Sequence, residues 1–332
     1  MLVINPSPNV SPYCYSLLHV EPYSSCSFKC TYCFARWYRG EVLQQQREVI
    51  DLFEKVSKQM RIKDLKPFAF RLSSFVDPFQ PIEHSFKLSR KVMKIALNYK
   101  VPLIINTKAV GYDKDLLENL ASKELAVLQV SLSVIGEKLS SLLEPNAPKP
   151  IERLDYAEKI EAPKILRLQP LIPGVSEIEE IVEQAKAAGF RHVIAEVLRD
   201  DEKNMQIYRR ISKDFPELEV YNPSVEVGKV LRPKAEFRLK IYEEVKRKAE
   251  KVGLDFSVCK EPFFDLNTKN CCGMHYLDCA IRITLKELKE GNFKNFVYGD
   301  ELKKYPKAIG KGLRWHEKVL MKVAQEKFKI SV

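Results

Sequence analysis

No apolar run in the sequence approaches the roughly 20 residues that a membrane-spanning helix requires. The opening stretch, MLVINPSPNVSPY, has neither the basic beginning nor the apolar core of a secretory leader. Repeats, low-complexity tracts and Pro/Gly linkers are missing as well. Together these absences predict a cytoplasmic protein with no membrane partner and no string of independent modules. Thiols stay reduced in that compartment, where clustered cysteines bind metal or react more often than they form bridges. A chain of 332 residues, 45% hydrophobic and 30% charged, can bury its core without disulfides.

The 55 Lys and Arg against 44 Asp and Glu give a net charge of +11. Residues 286–332 carry 12 basic and 6 acidic side chains, interleaved with Phe293, Phe296, Tyr298, Tyr305 and Trp315. That mixture suits a surface that contacts phosphates and stacks bases, and it equally suits a Lys-rich solvated face.

Apolar runs alternate with amphipathic stretches. Strands are predicted at FAFRLSS, VPLIINTKA, AVLQVSLSV, KILRLQPLI and HVIAEVL, with one more in YSLLHVEP before the first cysteine cluster. Helices are predicted at FKLSRKVMKIALNY, DKDLLENLA, IERLDYAEKI and EIEEIVEQAKAAGF, the last closed by Gly189. Beyond residue 200 the alternation weakens, leaving a long charged helix that ends at Gly253 and a possible strand in LDFSVC. The chain is thus α/β, and six βα units fit either a partly closed barrel or a doubly wound sheet. In both, the loop after the first strand lies at the carboxyl end of the sheet, where ligands bind.

That loop reads CSFKCTYCFAR. Cys26, Cys30 and Cys33 have the spacing C-x3-C-x2-C, which lets one loop supply three corners of an iron–sulfur cubane and leaves a fourth iron open. A closed zinc knuckle would need a fourth ligand, and the candidates His19 and Cys14 fall on the far side of the expected strand. The spacing, with Tyr32 as the aromatic before the last cysteine, resembles the cluster loop of the radical S-adenosylmethionine enzymes. Further stretches resemble, in order and spacing, the spore photoproduct lyase and DNA photolyase-like branch over about residues 10–200: SSFVDPFQPIE, INTKAV, VSLSV and LEPNAPKPIERL.

The resemblance implies a partial (β/α)6, TIM-like radical SAM barrel over residues 1–200, with its cluster loop at 26–33. A C-terminal α+β extension would occupy 201–332. It implies a [4Fe–4S] cluster on Cys26, Cys30 and Cys33, S-adenosyl-L-methionine as cofactor and a 5′-deoxyadenosyl radical. It also implies an electron donor such as ferredoxin or flavodoxin, and a nucleic-acid substrate that is repaired or modified. Position by position, Tyr32, Ser73 and Ser74 would lie near the cofactor's methionyl end. Lys108 would meet its carboxylate, Ser131 or Ser133 its ribose, and Arg167 would face the same pocket. For each hydroxyl, turn or strand packing is the competing account. Two departures stand out: RLSSFVDP has no cysteine where the lyase carries its hydrogen-donating thiol, and Phe34 replaces a tyrosine after the last cluster cysteine.

A second group gathers Cys259, Cys271, Cys272 and Cys279, with His275 among them. These residues could ligate an auxiliary cluster or zinc, be buried as small apolar side chains, or supply the missing thiol, with Cys272 and Cys271 as the catalytic candidates. Gly273 provides the turn that two adjacent cysteines need to face one site. Two other functions remain open on this sequence. One is a radical enzyme that modifies a protein or small metabolite with an auxiliary cluster; the other is a non-catalytic, zinc-dependent nucleic-acid-binding protein. His84 fits the barrel mouth and an exposed loop equally well, and Cys14 is read as structural.

Overall fold

The computed structural model describes residues 2–4, 18–37, 39–212, 214–222, 229–280, 290 and 299–329. Cys14, Phe293, Phe296 and Tyr298 fall outside them.

Six parallel strands occupy the places that the apolar runs indicate: β2 (Leu18–Val20), β3 (Phe70–Leu72), β4 (Leu103–Thr107), β5 (Ala126–Ser131), β6 (Lys164–Leu171) and β7 (His192–Val197). A short strand, β1 (Leu2–Ile4), pairs antiparallel with β2. On the far side β11 (Asp255–Val258) pairs parallel with β7, so seven parallel strands run in one sheet. The order β2-β3-β4-β5-β6-β7 follows the chain without a reversal. A doubly wound sheet would reverse its order at a switch point, so that alternative is set aside. Arg71 on β3 and Gln129 on β5 point to the same face of the sheet and meet over β4 at 3.4 Å.

Strands buried on both faces read as near-continuous apolar runs, and β5 (AVLQVS) and β7 (HVIAEV) approach this, broken by Gln129 and Glu196 among others. Outside them lie α1 (Arg47–Ile62), α2 (Glu83–Phe86), α3 (Leu88–Tyr99), α4 (Lys114–Ala121), α5 (Glu137–Leu143), α6 (Pro150–Glu158) and α7 (Ile178–Ala187). In α1 the buried residues Val49, Ile50, Phe53, Val56, Ser57 and Met60 recur at helical spacing and form the inward stripe. The start of α4 is fixed by Asp113, whose carboxylate accepts the Leu116 N–H at 3.1 Å. Gly189, with φ +79°, ends the turn after α7.

After residue 200 come α8 (Glu202–Ile211) and a small antiparallel sheet of β8 (Asp200–Asp201), β10 (Val230–Pro233) and β9 (Leu218–Asn222). The chain then returns to the large sheet through α9 (Ala235–Lys251) and β11, and α10 (Lys307–Phe328) lies against β1. Among the described residues no helix is long and apolar enough to cross a membrane. In the basic tail, Tyr305 is committed to packing: its ring meets Phe68 at 4.8 Å and its hydroxyl donates to the Lys66 carbonyl. It is therefore not a free stacking platform for bases.

Candidate cluster loop and barrel lumen

The three-cysteine loop leaves the carboxyl end of β2 and ends in a 3-10 turn, Phe34–Trp37. Lys29 takes a left-handed φ of +52°, which lets the chain double back between Cys26 and Cys30. Its shape is held from three sides. Gln80, fully buried, accepts the Ser27 N–H at 2.8 Å and donates to the Ser25 carbonyl at 2.8 Å. Thr31 N–H donates to the Leu143 carbonyl at 2.9 Å. Arg36 donates to the carbonyls of Thr31 and Cys33 and forms ion pairs with Asp200 and Asp201, and Asn204 adds a bond to the Thr31 carbonyl. The β8–α8 corner thus clamps the loop.

The thiols lie close enough to influence one another. Burial pushes the Cys26 thiol up to about 11, helped by the Asp77 carboxylate and opposed by the backbone N–H groups of Phe28 and Asp77. Burial also raises Cys30, against the pull of Lys108, and Cys33 and Cys26 add to the rise. Arg39 Nη1 lies 3.5 Å from Cys33 Sγ. Among the described residues no three His, Cys, Asp or Glu side chains converge on a single ion. A cubane differs from a mononuclear site because each thiolate ligates its own iron, so its three sulfurs stand around a cluster instead of meeting at one point. Three half-buried thiols on one short loop, with cations and backbone donors beside them, fit that donor set.

Beside Cys30 a buried charge cluster explains much of the LEPNAPKPIERL stretch. Tyr32 donates its hydroxyl to Glu144, Lys108 Nζ lies 3.2 Å from Glu144 Oε1, and Arg153 is ion-paired to the other oxygen. Burial alone would raise the Glu144 carboxyl, but Lys108 and Arg153 outweigh it and hold it at about 2. Arg153 also donates to the carbonyls of Pro148 and Ser131, tying α6 to β5.

The serines divide. Ser73, fully buried with φ +64°, holds its hydroxyl 2.5 Å from Glu21 Oε2 and 2.7 Å from the Val76 carbonyl. Glu21 also accepts the N–H groups of Ser74 and Phe75, while its burial pushes the carboxyl up to about 7. Ser73 is thus occupied in a turn around Glu21, and Ser74 is half-buried beside it. Ser133 is fully buried behind Tyr32, whereas Ser131 is half-buried and shares the lumen face of β5 with Gln129. Asp77 joins this site to β4, accepting the Thr107 hydroxyl at 2.8 Å and the Lys108 N–H at 2.6 Å. His84 lies on α2, among residues lining a cleft with Phe79, Tyr112 and Asp113.

The second cysteine group does not gather as one set of four. Cys259 follows the carboxyl end of β11, where its N–H bonds the Ala195 carbonyl and its thiol meets Glu196. The chain then runs back along β11 and closes the opposite end of the barrel: Asp278 N–H bonds the Glu124 carbonyl before β5, and Ala280 N–H the Pro67 carbonyl before β3. Cys271 and Cys272 lie there with their sulfurs 3.9 Å apart, and Cys279 Sγ faces the Met274 carbonyl. Gly273 packs so closely on Val127 and Ile165 that a Cβ would stand 3.1 Å from Val127, and its φ is +74°.

Cys272 therefore reaches into the lumen from the floor. Arg71 Nη2 donates to its sulfur at 3.2 Å, and Gln129 Nε2 donates to its carbonyl at 3.1 Å. Arg167 Nη1 meets Gln129 Oε1 at 2.8 Å. Sequence reasoning did not single out Glu21, Asp77, Glu144, Arg36, Arg71 or Gln129. Glu144, Arg153, Arg36 and Asp77 lie in stretches already singled out; Arg71 and Gln129 become visible only through strand register.

No family model matches the chain. A protein of Acidianus two-tailed virus is 27% identical over 205 residues, 54% of this chain and 67% of its own length. A protein of Methanocaldococcus jannaschii is 27% identical over 180 residues, 50% of this chain and 65% of its own length. The chain thus spans about two thirds of the length of these relatives, both uncharacterized. Among solved structures, spore photoproduct lyase complexed with dinucleoside spore photoproduct superposes with a TM-score of 0.55 at 13% identity, covering 74% of this chain and 77% of the lyase. A variant of that lyase with bound S-adenosylmethionine and dinucleoside spore photoproduct gives 0.54 at 14%, with the same coverage. The parallel sheet and its flanking helices therefore share the fold of spore photoproduct lyase.

Proposed function

We propose that the chain is a cytoplasmic radical S-adenosylmethionine enzyme that acts on nucleic acid. The observation that carries this reading is the three-cysteine loop, clamped at the carboxyl end of a parallel barrel whose fold matches spore photoproduct lyase. Cys26, Cys30 and Cys33 would hold a [4Fe–4S] cluster with one iron left for the cofactor. When bound, cluster and cofactor supply reductive cleavage of S-adenosylmethionine to methionine and a 5′-deoxyadenosyl radical, the electron coming from a ferredoxin or flavodoxin.

The chain's own residues orient and shield. Lys108, backed by Glu144 and stacked 5.4 Å over the Tyr32 ring, presents a fixed positive charge beside Cys30 for a carboxylate. Ser74 and Ser131, half-buried, remain as polar contacts, with Arg167 deeper in the lumen. At the mouth, Phe34 lies 6.4 Å from Phe75 and carries Lys260 Nζ 5.3 Å above its ring; Tyr221 lies between Arg199 and Arg232 at 4.7 and 4.8 Å. Aromatic faces interleaved with cations support a nucleic-acid substrate.

Cys272, whose sulfur meets Arg71 in the lumen, is the thiol we assign to return hydrogen to a substrate radical. Its S–H bond breaks as a substrate C–H bond forms, and one electron from the ferredoxin or flavodoxin with one proton restores the thiol. The separation of Cys259 from Cys271, Cys272 and Cys279 favours this role over a four-thiolate auxiliary site. Iron and sulfide content tests the cluster: about four irons per chain, lost in Cys30→Ala, is expected, and zinc in place of iron would refute it. Binding to single-stranded and duplex oligonucleotides at two salt concentrations tests the substrate; salt-independent or absent binding removes nucleic acid.

A further inference from the structure

Two cysteines meet on the floor of the barrel as direct neighbours in the chain. Cys271 Sγ lies 3.9 Å from Cys272 Sγ, within reach of an S–H···S hydrogen bond in which either thiol donates. The corner that carries them is held by contacts that do not involve sulfur. Asn270 Oδ1 accepts the N–H groups of Cys272 and Met274 at 3.0 and 3.2 Å, the Gly273 N–H bonds the Asn270 carbonyl at 3.0 Å, and Gln129 Nε2 reaches the Cys272 carbonyl at 3.1 Å. Gly273, with φ +74°, completes the turn. The bonding of the two sulfurs can therefore change while the backbone of the floor keeps its own contacts. Cys279 Sγ is directed to the Met274 carbonyl at 3.9 Å, and Cys259 follows β11 at the other end of the barrel. Cys271 and Cys272 are 8 and 4% exposed, so only a small reagent reaches them.

We propose that Cys271 and Cys272 are a redox-active dithiol that closes reversibly to a disulfide, with a small disulfide as oxidant. The Cys271 sulfur attacks one sulfur of the oxidant and expels a first thiol; the Cys272 sulfur then attacks Cys271 Sγ, forming the internal bond and expelling a second. The two thiol protons leave with the expelled thiols, so the protein loses two electrons and two protons and the oxidant gains them. Arg71 Nη2, 3.2 Å from Cys272 Sγ, offers a donor to the negative charge that this sulfur carries as it attacks or leaves. Adjacent α-carbons stand about 3.8 Å apart across a trans peptide, below the roughly 4.4 Å at which ordinary disulfides begin. A bond between neighbours is therefore strained and readily reduced, which suits one that opens and closes and not a structural staple. The consequence is direct: the disulfide form has no S–H at Cys272 and cannot return hydrogen to a radical. That this loss governs a reaction rests on the functional reading above; the dithiol itself rests on the geometry of the pair.

The test is anaerobic equilibration of the full-length, reconstituted protein in graded ratios of 2-hydroxyethyl disulfide to mercaptoethanol, at matched iron content. Each sample is quenched in acid, alkylated in denaturant and read by peptide mass. As the ratio rises, Cys271 and Cys272 are expected to lose alkylation together, leaving a peptide two hydrogens lighter than the free dithiol, while Cys279 in the same stretch stays alkylated. Excess mercaptoethanol should restore both sites. Cys271→Ala and Cys271→Ser should abolish the internal bond and leave Cys272 alkylated or carrying a mercaptoethanol adduct; if neither folds, the mapping of the unsubstituted protein decides. Alkylation of both sulfurs at every ratio, a bridge to Cys279, or a bond that mercaptoethanol does not reopen overturns the proposal. Formation of 5′-deoxyadenosine by the unsubstituted, reduced protein separates the two ideas. A reversible bond between Cys271 and Cys272 without cofactor cleavage leaves the dithiol standing and sinks the functional reading, while cleavage in protein that never forms the bond sinks the dithiol alone.

Discussion

Glu144→Gln removes one charge and almost no volume from the buried cluster behind Cys30. In the native protein the carboxylate faces Lys108 and Arg153 and accepts the Tyr32 hydroxyl, and together these hold its carboxyl at about 2 against the penalty of burial. Relative to an ordinary value of 4.5, a depression to about 2 corresponds to roughly 3 kcal/mol of folding stability. Removing one member of a buried ion pair costs about 3 to 5 kcal/mol by a separate route, because Lys108 and Arg153 would face each other without their counterion. The sign follows from the lowered value: the contribution is complete above pH 4.5 and is lost as pH falls toward 2. Urea unfolding of anaerobic protein at pH 7.5 should show Glu144→Gln less stable by about 3 kcal/mol, and the gap should close on acidification through that window. A loss under about 1 kcal/mol, or a gap that persists unchanged near pH 2.5, would refute the reasoning.

Three other outcomes follow from the same geometry. Gly273→Ala should lower stability by about 2 kcal/mol or more in thermal unfolding, because its left-handed φ disfavours a side chain and the Cβ would press on Ile165 and Val127; an unchanged transition would contradict the packed floor. Arg36→Ala should speed iron loss to a chelator several-fold, since the clamp from Asp200 and Asp201 to the Thr31 and Cys33 carbonyls is removed. Equal rates would show that the loop holds its shape without it. Cys272→Ala should stop product formation from substrate while Cys271→Ala retains it; equal effects would deny Cys272 its separate role.

Much of the fold was legible because buried parallel strands are written as runs of β-branched and apolar residues, and each of the six apolar runs forms a strand. Helix α1 was missed although its apolar stripe has helical spacing. The short strands β8 to β10 carry no alternation long enough to read. In the site, spacing alone picked out Cys26, Cys30 and Cys33, since all three lie on one loop. Spacing misled for the second group, where β11 and the returning chain part Cys259 from the other three cysteines, and for Ser73, whose hydroxyl is spent on Glu21. Arg71 and Gln129 are 58 residues apart and meet only through strand register. The aromatic spacing of the basic tail likewise could not show that Tyr305 is packed against Phe68.

The most direct measurement is analysis for 5′-deoxyadenosine after anaerobic reduction of the reconstituted protein with S-adenosylmethionine, beside a Cys33→Ala control. The account predicts 5′-deoxyadenosine and methionine in equal amounts from the parent protein and none from the control. No cleavage above the control, in protein shown to carry its full complement of iron, would contradict it.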